Sequence, residues 1–219
     1  MKKIVRKIVL VGLGLVGLQQ VQAQNTEDRK EEATIGIKGG INLANFHTNN
    51  NDIDDQDMIS GVNLGILMYL PLSRKVILQP EVNYTTKGSA VSYNNVVANG
   101  IAQFRLRYLE VPVLLRYNLN KHAHVHAGPY AAYLLDSRII NKTENGDFDF
   151  NREINKDDLN SIDWGLAAGV GVDMGSLGVG LRYNYGLATI GQTKTYGTNS
   201  YTFPDAKNSN LSLYVSLKF

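Results

Sequence analysis

The chain has 219 residues, with 22 Lys+Arg against 20 Asp+Glu, four histidines and no cysteine. The missing cysteine excludes disulfides, zinc–thiolate sites and cysteine nucleophiles. A formal charge of +2 gives no basic surface for nucleic acid, and past the N-terminus no run approaches the ~18 apolar residues of a transmembrane helix.

Lys2, Lys3, Arg6 and Lys7 precede an apolar stretch from Ile8 to Leu18, and Val21-Gln22-Ala23 offers small residues suited to a signal peptidase. This is the layout of a secretory signal peptide cut after Ala23, too short to remain as a spanning helix of ~20 residues. Residues 1–23 are therefore expected to be removed, 24–32 to form a short N-terminal segment, and 33–219 to fold as one domain. Removing the leader takes away four positive charges and no negative ones, so the mature net charge is −2.

After Ala33 the dominant hydrophobic period is two, the signature of strands. In chain order, Ile35, Ile37, Ile41 and Leu43 alternate with Lys38, Gly40 and Asn42; Val62 to Leu70 with Gly61, Asn63 and Gly65; Val76, Leu78, Val82 and Tyr84 with Gln79, Glu81, Asn83 and Thr85. Leu109 to Tyr117 then alternates with Glu110, Pro112 and Arg116, and Ala123 to Tyr133 with His122, His124, His126 and Gly128. Trp164 to Val172 alternates with Gly165, Gly169, Gly171 and Asp173, and Leu177 to Tyr185 with Gly178, Gly180, Arg182 and Asn184. Leu211, Leu213, Val215, Leu217 and Phe219 close the series against Ser212, Tyr214, Ser216 and Lys218.

Each segment reaches the ~9–11 tilted residues that cross a bilayer as a strand. Three connections are tight (71–74, 118–121, 174–176) and four are long and polar (47–58, 88–103, 136–161, 188–209), in strict alternation. Outer-membrane barrels have short periplasmic turns and long external loops. The expected fold is all-β: an eight-stranded antiparallel up-and-down transmembrane β-barrel in the outer membrane, with residues 24–32 periplasmic. The competing reading is a soluble sandwich or lipocalin-like barrel with the apolar face inward. It fits less well, because glycines crowd the polar face as they would the interior of a small barrel.

Two irregularities stand out. Arg105 and Arg107 share parity with the apolar face of the fourth strand, which predicts either a β-bulge near Tyr108 or a strand that has left the lipid before Arg107. Pro80 and Pro112 sit inside strands and predict local bulges or weakened pairing.

An eight-stranded lumen is narrow enough to be filled by side chains. Lys38, Glu81, Glu110, Arg116 and Arg182, with Asp173 and Lys218, face it and must pair, because unpaired buried charge is costly. A structural charge network is the expectation, and a narrow pore the alternative. His122, His124 and His126 stand roughly 6.6–7 Å apart in sequence along one strand face, wide for one metal, so no metal or other cofactor is expected. The acidic loops (Asp52, Asp54, Asp55, Asp57; Asp147, Asp149, Glu153, Asp157, Asp158) lack an EF-hand frame. His47 with Ser60 or Asp57 is the only enzyme-like proximity, unsupported by any catalytic motif, so no enzyme is expected. Leu213, Val215, Leu217 and Phe219 form a terminal pattern of the kind read by the outer-membrane assembly machinery.

Five stretches resemble a known family: 36–46 (GIKGGINLANF), 108–117 (YLEVPVLLRY), 127–130 (AGPY), 169–172 (GVGV) and 182–187 (RYNYGL). In order and across the mature chain, they resemble the PorT-type, OmpX-like outer-membrane barrels of Bacteroidetes, within the porin family of outer membrane β-barrel domains. The resemblance implies an eight-stranded barrel in the outer membrane of a Gram-negative cell and no single activity; the member that names the family serves secretion and gliding machinery.

The functional expectation is a monomeric structural or interaction protein acting through its external loops. Phe148, Phe150, Tyr196, Tyr201 and Phe203 are candidate anchors there. The alternative is a narrow pore or transport component, tied to a secretion system. Expected partners are outer-membrane lipid and lipopolysaccharide, the assembly machinery and an envelope or extracellular protein; nucleic acid is not among them.

Overall fold

A computed structural model describes residues 32–47, 56–94, 99–143, 150–153, 159–196, 199–202 and 206–219. The expected leader, most of the acidic loop residues, Phe148 and Phe203 lie outside the described residues. Twelve strands follow in chain order: β1 (Thr34–His47), β2 (Gln56–Asp57), β3 (Ile59–Pro71), β4 (Val76–Asn94), β5 (Asn99–Asn118), β6 (Ala123–Thr143), β7 (Phe150–Glu153), β8 (Ile162–Met174), β9 (Leu177–Thr189), β10 (Thr193–Tyr196), β11 (Asn199–Thr202) and β12 (Lys207–Lys218).

Eight of them close a barrel in the order β4-β3-β1-β12-β9-β8-β6-β5, with β5 returning to β4. Every neighbouring pair is antiparallel, as an up-and-down path requires. The seam joins the two ends of the chain. β1 and β12 pair from Gly36↔Lys218 to His47↔Lys207, and the Phe219 N–H donates to the Ile35 carbonyl at 2.9 Å. At Gly40 this seam is so close that a Cβ would stand 2.7 Å from the Tyr214 Cα.

The polarity of the wall is inverted relative to a soluble barrel. Leu64 is 65 % exposed and Leu166 56 %, whereas Glu81 and Arg182 are each 2 % exposed. Apolar side chains therefore cover the outside and charges fill the inside, the arrangement of a lipid-facing wall. This rules out the inward-facing apolar reading.

The three tight turns gather at one end. Asn120 Oδ1 accepts from the N–H groups of His122 and Ala123 at 2.8 and 2.7 Å, and Gly175 takes φ 66°, where glycine carries no Cβ penalty. At the other end the structure departs from the sequence expectation. The segment 88–103 is largely not a loop, because β4 and β5 stay paired out to Asn94↔Asn99. β6 continues to Thr143, β7 adds to its edge, β2 pairs β4, and β10 and β11 form a hairpin within 188–209. Beyond the lipid the outward side chains need not be apolar, so ladder hydrogen bonds persist without the apolar alternation that marks a strand in sequence.

The prolines weaken pairing without shifting register. The β3–β4 ladder lapses between Leu67↔Glu81 and Leu70↔Leu78, and β5–β6 lapses between Pro112↔Tyr130 and Leu115↔Ala127. The bulge, by contrast, is not on the strand that carries the arginines. β5 keeps an unbroken register with β4 through Tyr108 and Arg107, while its partner on β6 jumps from Leu134 to Asp136. Leu135 is the extra residue.

Candidate functional site in the barrel lumen

The lumen is filled in layers from the turn end upward. At the mouth, Arg116 pairs with Asp173, and its Nε donates to Asn118 Oδ1 at 2.9 Å. Arg116 and Lys218 both lie over the Tyr69 ring, 5.4 and 5.7 Å from its centroid, within cation–π range. A cavity of about 310 Å³ opens here, lined by Glu32, Tyr69, Arg116, Asp173, Ser216 and Lys218 among others.

Above it Glu81 is the hub. Its carboxylate accepts from Lys38 Nζ at 2.8 Å and, through both oxygens, from the Arg182 guanidinium at 2.7 and 2.8 Å. Gln79 and Asn83 donate to it as well, at 2.7 and 2.9 Å. Forked Arg–carboxylate geometry is the strong form of a charged hydrogen bond. Tyr214 presents its ring to both cations, 4.7 Å from Lys38 Nζ and 5.2 Å from Arg182 Cζ.

An amide layer follows. Asn42 donates to Thr85 Oγ1 at 2.9 Å and accepts from Asn63 Nδ2 and Ser212 Oγ at 2.6 and 2.7 Å. Above this Lys87 lies between two carboxylates, 2.7 Å from Glu110 and 3.0 Å from Asp163. Asn184 donates to Glu110 and Asn208 to Asp163, and Tyr130 sets its ring 4.2 Å from Lys87 Nζ. Phe46, Leu106, Leu134, Leu159 and Ile190 close the top as an apolar cluster. Asn160 pins that closure by donating to the Thr189 and Gly191 carbonyls at 2.8 and 3.0 Å.

Formal charge explains the layering. Glu81 with Lys38 and Arg182 sums to +1, and Lys87 with Glu110 and Asp163 sums to −1, so the two clusters offset one another inside the same low-dielectric interior. Buried ions are tolerated when paired, and each ion of the two clusters lies within 3.0 Å of an opposite charge.

The five lumen residues read from the sequence thus fall into three groups. Lys38, Glu81 and Arg182 meet; Glu110 belongs with Lys87; Arg116 belongs with Asp173 at the mouth. Lys87 and Asp163 lie just outside the plainly alternating segments, one past Thr85 and the other before Trp164. Parity alone would have found them: Lys87 continues the Glu81, Asn83, Thr85 face, and Asp163 continues that of Gly165.

The three histidines do not converge. His122 lies in the turn with Nδ1 3.1 Å from the Asp173 carbonyl, and His126 Nε2 accepts from Arg182 Nε at 3.1 Å. His124 and His126 fit because their cross-strand partners are Gly171 and Gly169, where a Cβ would come within 2.6 Å of the rings. Among the described residues no group of His, Cys, Asp or Glu is placed to hold a metal ion. His47 stacks on Tyr185 with centroids 4.4 Å apart, while Ser60 stands opposite Leu43, so these two are not brought together. Burial, and then the Lys207 cation, push the His47 imidazole below its usual value. Leu213, Val215, Leu217 and Phe219 all face outward on or just beyond β12.

The likeness of solved structures is one of strand arrangement. Ail of Yersinia pestis, solved with a heparin analogue, has 12 % identity over 86 % of this chain and 99 % of its own, at a TM-score of 0.47. Neisserial surface protein A has 15 % identity over 86 % and 100 %, at 0.45. OprG of Pseudomonas aeruginosa has 15 % over 85 % and 96 %, at 0.43. No curated protein sequence matches the chain. The family model for the outer membrane protein beta-barrel domain matches residues 22–191. With its closed eight-stranded wall, apolar outside and charged inside, the chain is a member of the outer membrane protein β-barrel domain family.

Proposed function

We propose that this protein is a closed outer-membrane barrel that acts as a structural and interaction protein through the β-hairpins rising from its external end. The observation that carries this reading is the Glu81 hub. A carboxylate held by Lys38, Arg182, Gln79 and Asn83 bars the lumen, and the apolar cap around Leu159 and Ile190 bars it again above. The barrel is then a mount, and the working surface is the paired extension of β4, β5, β6 and β7, which faces an envelope or extracellular protein.

Replacing residues 90–103 with Asn-Gly would join the directly opposed Ser89 and Phe104 by a two-residue turn. The shortened barrel is expected to keep its heat-modifiable migration and to lose capture of a partner from envelope extract. Equal capture by both forms would remove the hairpin from the proposal.

A second reading, a narrow pore or transport component tied to a secretion system, draws on the cavity of about 310 Å³ at the mouth. Planar-bilayer recording separates the two. The closed reading expects no stable openings from the intact protein; stable wild-type openings would sink it.

A further inference from the structure

The outer face of β5 and β6 carries a charge arrangement that the lumen does not explain. Leu106 and Tyr108 are buried inward, so Arg105 and Arg107 point out of the barrel. The Leu135 bulge does the same for β6. Without the extra residue Asp136 and Arg138 would follow the inward parity of Ala132 and Leu134; with it they face outward, opposite Arg107 and Arg105. Bulges commonly re-aim side chains in this way.

The result places two arginines directly across from one another, Arg105↔Arg138, an opposition that destabilises a sheet unless something offsets it. The available carboxylate is already shared. Asp136 Oδ2 lies 3.1 Å from Arg107 and 3.2 Å from Arg138, while the exposed Glu153 reaches Arg138 only at 3.7 Å. Arg105 has no carboxylate partner among the described residues; one of its amino groups donates to Gln103 at 3.2 Å, and its Nε is buried without a hydrogen-bond partner. Among the described residues, the three guanidiniums have one carboxylate within 3.2 Å, Asp136, and a second, Glu153, at 3.7 Å from Arg138.

Their height is equally specific. Arg107 is ten residues above Tyr117 on β5; at ~3.3 Å per residue and a tilt of ~40° this spans ~25 Å, the height of the apolar band of such barrels. Just below it Tyr84, Leu109 and Tyr133 form one cross-strand row, with two tyrosines where an interfacial aromatic girdle belongs. The arginines thus stand at the headgroup level of the external leaflet, facing lipid rather than lumen.

We infer that Arg105, Arg107 and Arg138 form a binding site for a lipid-borne phosphate monoester, that of lipid A in lipopolysaccharide. Planar guanidiniums are suited to phosphate, and one phosphate between Arg105 and Arg138 turns their repulsion into two charge-assisted contacts. The inference is independent of what the hairpins bind.

Native mass spectrometry of the detergent-released protein, titrated with phosphorylated lipid A, dephosphorylated lipid A and inorganic phosphate, tests it. The wild type is expected to prefer phosphorylated lipid A, and Arg105→Gln with Arg138→Gln to weaken that binding by at least ~10-fold while leaving the dephosphorylated lipid unaffected. Asp136→Asn, which frees both cations, is expected to strengthen binding; a purely structural ion pair would predict no gain. Heat-modifiable migration verifies folding, and if the double variant does not fold, the sign of the Asp136→Asn effect decides. Unchanged affinity in the double variant, equal binding of dephosphorylated lipid, or inorganic phosphate binding as tightly as lipid A would each overturn the proposal.

Discussion

Glu81→Ala is expected to destabilise the folded barrel by about 3–5 kcal/mol, the range for removing one partner of a buried ion pair. The loss exceeds that of a single hydrogen bond (about 1 kcal/mol) because Lys38 and Arg182 are left facing each other beside Tyr214, with Gln79 and Asn83 also deprived of an acceptor. Equilibrium urea unfolding from phospholipid vesicles measures it. Trp164, the single tryptophan of the chain, faces outward at 53 % exposure and reports insertion by fluorescence. The informative control removes all three charges together. Glu81→Met, Lys38→Met and Arg182→Met leave no orphaned ion within the hub, at the loss of the +1 that offsets the Lys87 cluster, and exchange of a whole buried network for apolar side chains is often neutral or stabilising. If Glu81→Ala alone costs under about 1 kcal/mol, water reaches the hub and the lumen is not a low-dielectric interior.

Lys87→Met is the second large effect, with the opposite electrostatic sense. It leaves Glu110 and Asp163 buried near one another without the ammonium that lies within 3.0 Å of both, again at about 3–5 kcal/mol. The removed side chain is long and apolar for most of its length, so methionine retains most of the packing and isolates the charge. Adding Glu110→Gln to Lys87→Met should restore part of the loss, with a coupling energy of about 0.5–3 kcal/mol in a double-mutant cycle. Strict additivity would mean that Lys87 and Glu110 do not stabilise one another in the folded barrel.

These two sites differ in how far the sequence exposed them. Glu81 lies between Val82 and Pro80 on a strand whose alternation is plain, so its inward direction follows from parity alone. Lys87 lies on the same face two residues past Thr85, where the outward apolar residues have stopped and the pattern no longer announces a strand. Its direction was encoded, but only the continuing ladder with β5 makes that parity meaningful. Pairing is harder still to read. Glu81 and Arg182 are 101 residues apart in the chain, and nothing in either local sequence distinguishes Arg182 from Arg116 as the partner of Glu81.

The arginines of β5 show the same limit from the outside. Their parity conflict is visible in the sequence at Arg105 and Arg107, yet the bulge that accompanies it lies at Leu135 on the neighbouring strand. Whether β6 presents Arg138 to the lumen or to lipid depends on one extra residue in its register, Leu135. A period-two pattern in a stretch of mixed polarity does not record such a slip.

What the sequence by itself determined is the wall. Alternation over eight segments, tight turns alternating with long connections and glycines crowding the polar face point to a closed antiparallel barrel with its apolar side outward, because a two-residue strand period segregates apolar and polar side chains onto opposite faces. What only the tertiary structure decided is the interior and the rim: which charges meet, how far the hairpins extend beyond the lipid, and which arginines oppose one another. Those outcomes depend on the register and curvature of strands distant in sequence, and it is closure of the barrel that brings their inward faces within hydrogen-bonding reach.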